Sequence, residues 1–584
     1  MSHRIQPPGD RGFGAPQDGV SARDIHHAWN PGIQSQVPPQ LRHLCTIFRP
    51  ENGFRSLVDV HEGHTLTGIA PSELVAFRPR RLALHETLIR VTADFAVPDG
   101  SRVEDLGIKF REITSLMVDR YLEPEMDEIT AIFDRVKNQL NAAIHDALAR
   151  FANRGWGVRE ISECENAAST ADGEFLRAAY RASARVMSAL FITNGRGWGA
   201  QEHIASLAAD IACNEIGSAE IGRTIEPILQ RAAIREGYGI LPRQERPVVI
   251  NIKGPSASGK STLRPLQKKL AREIGMQWSD FALISPDIWR KQLLDYGSLG
   301  AAYKYAASFT ADELQIIDHK LDRYMAAKNE RGEMSHLLID RFRFDGFAQD
   351  SHEAGSNFLT RFGHAVHLFF LIAAPELLIE RAWKRGLDVG RFKAVDDTLA
   401  HAVEAYSGMP DVFFTWIKRH DKRIRFEFLD NSVRLGERPR TAAFGENDTC
   451  NVLDVTCMSN IERYCRINVW ATRPEDLYAD RGLLAAEHNL GILSRCLREF
   501  RRVDFAEQET GLIYLRFEAG RPLLMDPAAL DRAVADPDTR AWVRSAAPGA
   551  LDGRIAKVDR PRYLHEELVT STPTLGSWGG PRRR

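Results

Sequence analysis

The chain has 584 residues, of which 43% are hydrophobic and 27% charged, and its 77 basic side chains almost balance its 78 acidic ones. This is the composition of an ordinary globular protein, and it excludes wholesale disorder, collagen-like repeats and a coiled-coil fibre. The formal charge of −1 also excludes a strongly basic protein that coats nucleic acid or an anionic membrane, although it is compatible with a local basic cleft. The length predicts roughly four domains of ~150 residues each.

Both ends of the chain are predicted to be unstructured. Residues 1–40 are rich in proline and glycine and offer few apolar side chains to offset the entropy lost on ordering. Residues 571–584 are similar and are interpreted as a flexible tail. No apolar stretch approaches the ~20 residues that cross a bilayer, so we expect no membrane association. The cysteines are scattered without a C-x-x-C pair, and the N-terminus lacks the apolar core of a signal peptide, so we expect buried thiols in a cytoplasmic protein.

Residues 41–240 are predicted to form a mostly helical domain. Apolar residues recur at steps of three and four between Ile129 and Phe151, which places them on one face of a helix. Similar patterns occur near 177–193 and 202–234. These patterns indicate helices but give no indication of what the region does.

Residues 245–478 follow a linker that is rich in glycine and proline, and their pattern is different. Short apolar runs alternate with amphipathic helices, which predicts an α/β fold: a parallel sheet with helices on both faces. The five expected strands are Val248–Ile252, Phe281–Ile284, His336–Ile339, Ala365–Ile372 and Arg425–Leu429. A small C-terminal region is predicted over residues 479–570, with a helix near 484–500 and a strand at Gly511–Phe517.

The strongest motif of the chain is the run Gly254, Pro255, Ser256, Ala257, Ser258, Gly259, Lys260 and Ser261, followed by Thr262. It matches the GxxxxGKS/T pattern of a phosphate-binding loop, follows a predicted strand and opens a predicted helix. Glycines let successive backbone N–H groups point into one concavity, and the helix N-terminus adds positive potential. We therefore expect residues 254–262 to bind ATP, with Lys260 on its β- and γ-phosphates and the Ser261 hydroxyl as a ligand of Mg²⁺. The alternative is a glycine-rich turn that binds nothing.

Two carboxylates follow the second and third predicted strands, at the same edge of the sheet as this loop. Asp287 is predicted to accept the proton of an attacking hydroxyl or to orient that hydroxyl, with a helix N-cap as the alternative. Asp340 is predicted to hold the water shell of the metal or a substrate hydroxyl, with a turn residue as the alternative. Arg290, one turn after Asp287, is expected to bind a phosphate or a substrate carboxylate unless it is a solvated surface residue.

A basic helix and loop follow the fourth predicted strand. Arg381 and Arg385 are four residues apart and share a helix face, and Arg381 is taken as a substrate-binding residue. Gly386 and Gly390 permit a hinged lid that brings Arg391 over the site. Guanidinium groups bind phosphoryl oxygens bidentately, so Arg385 and Arg391 are expected to stabilise the transferring phosphoryl group. A solvated basic helix is the alternative.

Residues 245–435 resemble the zeta-toxin family of P-loop kinases. The resemblance is carried by the loop 254–261, by Asp287 with Arg290, and by the lid arginines. It implies a nucleoside-kinase-like sheet and an enzyme that uses ATP and Mg²⁺ to phosphorylate a hydroxyl of a nucleotide sugar such as UDP-N-acetylglucosamine. It also implies that Lys260 binds phosphate and that Asp287 is the catalytic base.

Two features depart from the family pattern. The segment around Asp340 differs from the family's glutamate-containing segment, and the chain is much longer than a minimal toxin. The acceptor therefore stays open between a nucleotide sugar and another hydroxyl compound: a polynucleotide end, a dinucleotide or an antibiotic.

The role of the helical region also stays open. An ATP-regulated interaction protein, whose function lies in this region, is a further alternative to a kinase. Zeta-like toxins need restraint, which a separate antitoxin could supply, or residues 41–240 by covering the nucleotide cleft; a delivery or localisation domain is an equal alternative for this region. Long nucleic acid is not expected as a partner, because the chain lacks a net positive charge.

Overall fold

The computed structural model describes residues 26–100, 102, 104–149, 156–195, 201–341, 356–434, 436–558, 560–567 and 573–579. Residues 1–25 of the predicted N-terminal segment, and residues 571, 572 and 580–584 of the predicted tail, lie outside the described residues. Within the described ranges the chain forms a helical region followed by a sheet with helices packed on it, which confirms the α/β class. No helix of the described part combines the length and the apolar character needed to span a bilayer.

The helical region expected over residues 41–240 is present. Its α-helices are α1 (Leu57–Thr67), α2 (Pro79–Asp94), α3 (Asp105–Leu116), α4 (Met126–Ala149), α5 (Val158–Thr170), α6 (Glu174–Asn194), α7 (Gln201–Ala212) and α8 (Ser218–Glu236). The predicted stripe lies on α4, where the residues from Ile129 to Leu148 that carry it are buried. Two π-helical segments, Met117–Leu122 and Cys213–Gly217, continue α3 and α7 towards the helices that follow them.

A single mixed sheet of ten strands follows. The strands are β1 (Val248–Lys253), β2 (Phe281–Ile284), β3 (His336–Ile339), β4 (Ala365–Ile372), β5 (Arg423–Asp430), β6 (Arg440–Glu446), β7 (Thr449–Val452), β8 (Arg502–Ala506), β9 (Ile513–Glu518) and β10 (Arg521–Leu524). Their order is β10-β9-β8-β7-β6-β5-β4-β1-β3-β2. The five strands β1 to β5 are parallel and coincide with the five predicted ones, to within two residues at each end.

The predicted boundary at residues 478–479 falls inside this sheet. Strand β7 pairs in parallel with β8, so the expected small C-terminal region contributes β8, β9 and β10 to the same sheet as β1. Without β8, the edge of β7 that faces away from β6 would expose a row of backbone donors and acceptors, and the pairing with β8 satisfies them. The C-terminal segment is therefore an extension of the α/β unit.

The helices of this unit lie between and after the strands. They are α9 (Arg264–Glu273), α10 (Arg290–Leu293), α11 (Ala306–Phe309), α12 (Ala311–Glu330), α13 (Ser356–Arg361), α14 (Pro375–Val389), α15 (Val395–Ile417), α16 (Val455–Tyr464), α17 (Gly491–Glu499), α18 (Pro527–Ala533), α19 (Pro537–Ala546), α20 (Pro548–Leu551) and α21 (Leu564–Glu567). The predicted C-terminal helix corresponds to α17, which begins seven residues later than expected.

The described parts of the two predicted flexible segments contact the rest of the chain. In residues 26–40, the Gln34 backbone N–H donates to the Tyr305 hydroxyl at 3.3 Å, and Lys304 Nζ donates to the Pro31 carbonyl at 3.1 Å. In residues 573–579, the backbone N–H groups of Leu575 and Gly576 donate to the buried Glu427 carboxylate. Long-range contacts fix these residues, although their composition offers little local structure.

Helix α2 joins the helical region to the α/β unit. It is buried along almost its whole length, and one hydrophobic core includes Leu88 of α2, Ile284 of β2 and Leu321 of α12. The indole N–H of Trp289, just after β2, donates to the Thr92 hydroxyl of α2 at 3.1 Å. The helix thus covers the sheet next to its edge strand β2, so the two halves share one core.

Charged groups are buried at the same junction. The Glu313 side chain of α12 has no exposed surface, and it accepts hydrogen bonds at 2.7 Å from Arg81 Nη2 and His85 Nε2 of α2. Burial lowers the pKa of His85 to about 3, so its imidazole is neutral. Burial alone would raise the pKa of Glu313, but Arg81 and His85 together lower it below its usual value, so the carboxylate is ionised. This carboxylate binds α12 to α2.

Replacing the buried carboxylate should destabilise the whole protein. Glu313→Gln leaves the Arg81 guanidinium buried without a counter-charge, which costs about 3 kcal/mol of unfolding free energy. The measurement is urea denaturation at pH 7, followed by tryptophan fluorescence. Glu73→Gln is the control, because Glu73 pairs with Arg185 while their side chains are 42% and 44% exposed. It should change stability by less than about 1 kcal/mol, and equal effects of the two changes would contradict the assigned role of Glu313.

Candidate active site

The glycine-rich loop leaves the carboxyl end of β1 and enters a 3₁₀ turn, Ser261–Leu263, that leads into α9. Two residues of the loop have left-handed backbone conformations: Gly259, with φ +95°, and Ala257, with φ +63°. Glycine adopts this conformation freely, whereas alanine pays a steric penalty there. The strained Ala257 is consistent with a functional loop, because surrounding structure must hold such a residue in place.

Close packing explains why both motif glycines lack a side chain. A Cβ atom at Gly254 would lie 2.8 Å from Ser258 Oγ, and one at Gly259 would lie 2.4 Å from Asn431 Nδ2. Asn431 follows β5 and donates from Nδ2 to the Ser258 carbonyl at 2.6 Å. The side-chain amide of Asn431 therefore holds the loop in place through this hydrogen bond. No motif identified this residue; the only signal was its position at the carboxyl end of a predicted strand.

Lys260 lies inside the concavity of the loop. Its Nζ donates to the carbonyls of Gly254 at 3.0 Å and Pro255 at 3.1 Å. Burial lowers its pKa, while Asp340 and Asp287 partly oppose that effect. The hydroxyl of Thr262 is used within the loop, where it donates to the Gly259 carbonyl at 2.7 Å. Lys260 is thus the charged side chain of the motif, and it lies where a ligand bound in the loop would meet it.

Ser261 and Asp340 are brought together, as the metal prediction requires. The Ser261 hydroxyl donates to Asp340 Oδ2 at 3.0 Å, and the Asp340 backbone N–H donates to the Ile284 carbonyl at the end of β2. Hydroxyl and carboxylate oxygens are ligands that fit Mg²⁺. No group of three or more potential ligands among His, Cys, Asp and Glu occurs in the described ranges, so an ion here would need further ligands from a bound molecule or water.

The residue after Asp340 fixes the end of β3. Arg341 is buried, and its guanidinium contacts both Asp318 and Asp322 of α12 at 2.6 Å. Two carboxylates around one guanidinium leave Arg341 little freedom, because each bond has a defined geometry. Helix α12 therefore determines where the neighbouring Asp340 lies.

Asp287 faces the cleft on the other side, with a side chain 45% exposed. Its Oδ1 accepts from Arg290 Nε at 2.9 Å and its Oδ2 accepts from Arg391 Nη2. Burial opposes ionisation, but the guanidinium groups of Arg391 and Arg290 outweigh it and hold the pKa of Asp287 well below its usual range. Ser285, rather than Asp287, occupies the N-cap of the following 3₁₀ turn, so the capping alternative does not apply.

Arg290 has a positioning role in this structure. Besides Asp287, it donates from Nη1 to the Ala307 carbonyl at 2.6 Å and to the Thr310 hydroxyl at 2.8 Å. Thr310 immediately precedes α12. The predicted phosphate-binding arginine thus ties Asp287 to the start of α12.

The two arginines of the predicted helix face have different environments. Arg381 donates from Nη2 to the carbonyls of Asn431 at 2.9 Å and Val433 at 2.7 Å, so it anchors the segment after β5. Both arginines line the cleft, and each has one buried nitrogen without a hydrogen-bond partner among the described residues: Nη1 of Arg381 and Nε of Arg385. Burial and the neighbouring Arg391 lower the pKa of Arg385 to about 9. An anion bound in the cleft would therefore find an unpartnered donor on Arg385.

The loop, the two carboxylates and the lid arginines line one cleft of about 2710 Å³. Residues 33–37 and helix α3, through Gly107 and Arg111, line it as well. A site for one small ligand usually encloses ~300–1,000 Å³, so this cleft has room for two molecules side by side. The N-terminal helical region thus forms part of the cleft wall.

Comparisons of the chain with protein-family models, with curated proteins and with solved structures gave no match. The resemblance to zeta toxins therefore rests on the motifs and their arrangement, and it stays a prediction.

The contrast between the two arginines can be measured as stability. Arg385→Met should raise the unfolding free energy by about 1 kcal/mol, because it removes a buried charge for which burial and repulsion by Arg391 outweigh the attraction of Asp287 and Asp397. Arg381→Met, four residues earlier on the same helix, should lower it by about 2 kcal/mol through the loss of two hydrogen bonds from a charged donor. Melting temperatures of the two variants should shift in opposite directions. A loss of stability in both would show that Arg385 has a structural partner.

Proposed function

We propose that the chain is an ATP-dependent phosphotransferase of the zeta-toxin type, with a P-loop nucleoside-kinase-like core. It transfers the γ-phosphate of ATP to a hydroxyl of a nucleotide sugar similar to UDP-N-acetylglucosamine. The observation that carries the proposal is the contact between Ser261 and Asp340 beside Lys260, across one cleft from Asp287. A glycine-rich loop without catalytic purpose would have no reason to bring these four side chains to one edge of the sheet.

The strand order supports binding of the nucleotide at this loop. The connection that leaves β1 runs towards β2, and the one that leaves β4 runs in the opposite direction, towards β5. A crevice opens at the carboxyl edge where connections diverge in this way, and ligands of open α/β sheets bind there. Phosphate oxygens are stronger acceptors than the carbonyls that now bind Lys260, because they carry charge. The β- and γ-phosphates would therefore take the lysine from those carbonyls.

Ser261, and Asp340 through water, would hold the metal that accompanies ATP. Mg²⁺ bound there supplies charge neutralisation at the phosphate oxygens. Lys260, Arg385 and Arg391 add positive charge around the phosphoryl group, whose equatorial oxygens carry the negative charge during transfer. The uncompensated charge of Arg385 suits it to this role.

Asp287 acts on the acceptor hydroxyl. Its low pKa keeps it ionised, so it orients the hydroxyl by accepting its hydrogen bond. A loose transition state requires little proton removal before the bond between the γ-phosphorus and the bridging oxygen breaks. The acceptor oxygen then forms the new bond to phosphorus, ADP leaves with the bridging oxygen, and the proton passes to Asp287. Arg391 has to leave Asp287 for this step, and the γ-phosphate provides its new partner.

Loss of the loop lysine should weaken nucleotide binding strongly. Lys260→Ala is expected to weaken ATP–Mg²⁺ binding about 100-fold, because one charge-assisted contact to two phosphates is lost. A titration with fluorescent ATP measures this, and Lys269→Ala, an exposed residue of α9 that pairs with Glu273, should keep wild-type affinity. Wild-type affinity in Lys260→Ala would refute the nucleotide assignment.

Loss of the cleft carboxylate should separate transfer from binding. Asp287→Asn is expected to keep ATP binding while phosphoryl transfer falls ~10²–10⁴-fold. The assay incubates labelled ATP with nucleotide sugars, dinucleotides, antibiotics and 5′-hydroxyl oligonucleotides, and mass spectrometry detects a gain of one phosphate. Product on a compound other than a nucleotide sugar would correct the acceptor, and unchanged turnover in Asp287→Asn would reject the role of the carboxylate.

A further inference from the structure

A third basic residue of the lid, Lys393, is buried beside the proposed transfer site. It follows Arg391 by two residues, lines the same cleft, and has a side chain only 11% exposed. Its Nζ lies 3.4 Å from Asp397 Oδ2 and makes a hydrogen bond to His401 Nδ1, and both partners are on α15. No motif or resemblance identified this lysine.

The polar contacts among Lys393, Asp397 and His401 form a closed ring. Burial lowers the pKa of His401 to about 3, so its imidazole is neutral and has a single N–H. An ammonium can only donate, so the Nδ1 atom that faces Lys393 is the acceptor, and the N–H must lie on Nε2. His401 Nε2 is 3.3 Å from Asp397 Oδ1. Asp397 and His401 thus hold the lysine head in one position and use two of its three protons.

The charges that face Lys393 come from three elements. Asp397 and His401 belong to α15, Arg385 to α14, and Asp287 to the turn after β2. Burial lowers the pKa of Lys393 to about 7; Asp397 and Asp287 oppose that effect, and Arg385 adds to it. The Lys393 amine, which is only partly protonated at neutral pH, lies close enough to Asp287 to interact with its charge. Lys393 therefore lies at the end of the cleft that contains Asp287, where phosphoryl transfer is proposed.

We propose that Lys393 is a further phosphate-binding cation of this site, which contacts the γ-phosphate of ATP, with Asp397 and His401 as its positioning residues. The proposal rests on the proposed function, because it requires ATP in the cleft. The third ammonium proton is directed at the ligand while the ring holds the other two. Binding of the phosphate favours the charged lysine, so the protein takes up a proton when ATP binds above neutral pH.

The consequence is a pH dependence of ATP binding near neutral pH, below the range in which Arg385, with a pKa of about 9, titrates. The protonated lysine binds the γ-phosphate and the neutral lysine does not, so ATP affinity should fall as pH rises through about 7. Between pH 6 and pH 8 the expected loss is ~fivefold, because the protonated fraction of a group that titrates near pH 7 falls about tenfold while ATP bound without this contact is only ~tenfold weaker. ADP lacks the γ-phosphate, and its affinity should change less.

The test measures ATP and ADP affinity of the full chain with Mg²⁺ from pH 6 to pH 9, by calorimetry in two buffers of different ionisation enthalpy. Lys393→Arg keeps a cation at every pH, so it should bind ATP with the pH dependence of the nucleotide alone and without extra proton uptake. Lys393→Met should bind ATP ~tenfold more weakly at pH 6 and should lack the wild-type pH dependence. Lys418→Arg, an exposed lysine that pairs with Glu499, is the matched control and should behave as wild type.

The positioning residues have a readout of their own. Asp397→Asn removes the carboxylate that favours the charged lysine, so the midpoint of the pH dependence should move to lower pH. An unchanged midpoint would overturn the positioning role.

The outcomes separate this inference from the proposed function. If wild type binds ATP through Lys260 but Lys393→Met and Lys393→Arg match it at every pH, the role of Lys393 is overturned and the ATP site stands. If wild type binds no ATP at any pH, both are overturned. Melting curves verify that each variant is folded, and Lys393→Arg keeps the test decisive if Lys393→Met is unstable.

Discussion

The arrangement of this molecule depends on one buried carboxylate. Glu313 binds Arg81 and His85 of α2, so the helical region and the α/β unit meet through α12. The same helix positions both carboxylates of the candidate site. Thr310, which immediately precedes it, anchors Arg290, which binds Asp287, and its middle binds Arg341, which follows Asp340. Helix α12 thus connects the N-terminal region to the proposed chemistry along a single rigid element.

This connection changes how we interpret the helical region. The sequence suggested a separate domain that covers the nucleotide cleft, as a restraint on a toxin-like kinase. In the structure α2 shares the hydrophobic core of the sheet, and α3 forms part of the cleft wall. Removal of residues 41–240 would therefore expose the core and an uncompensated Glu313, and a loss of activity on deletion would say nothing about restraint. Restraint stays a prediction that only substitutions at the cleft surface can address.

The parts of the fold that could be predicted are those with a local signal. Strands β1 to β5 are apolar runs bounded by turn residues, and each was predicted to within two residues. Strand β6 mixes small and charged residues, and β7 mixes the polar Thr449 and Asn451 with Cys450 and Val452, so neither stands out as an apolar run. The pairing of β7 with β8 joins segments about fifty residues apart, which no local pattern contains. That pairing is why the expected boundary at 478–479 is absent.

The candidate site shows the same division. The loop 254–262, Asp287 and Asp340 follow from the motif and from the rule that parallel strands end at one edge of the sheet. Asn431 and Lys393 lie on connections without a motif, and only the folded chain brings them to the loop and the lid. Periodicity placed Arg381 and Arg385 on one helix face. It could not tell that both line the cleft and that Arg381 also binds the backbone carbonyls after β5.

The distance along the chain between Arg81 and Glu313 also affects synthesis. The two residues are 232 positions apart, so a ribosome needs roughly 10–50 s to produce the second after the first. During that interval α2 can pack against α4 and α8, but the side chains that face the sheet and α12, among them Arg81, are in contact with solvent. The N-terminal half therefore cannot complete its core during translation until α12 has emerged. We expect the nascent chain to need protection from aggregation over that interval, which a protein built from independent domains would avoid.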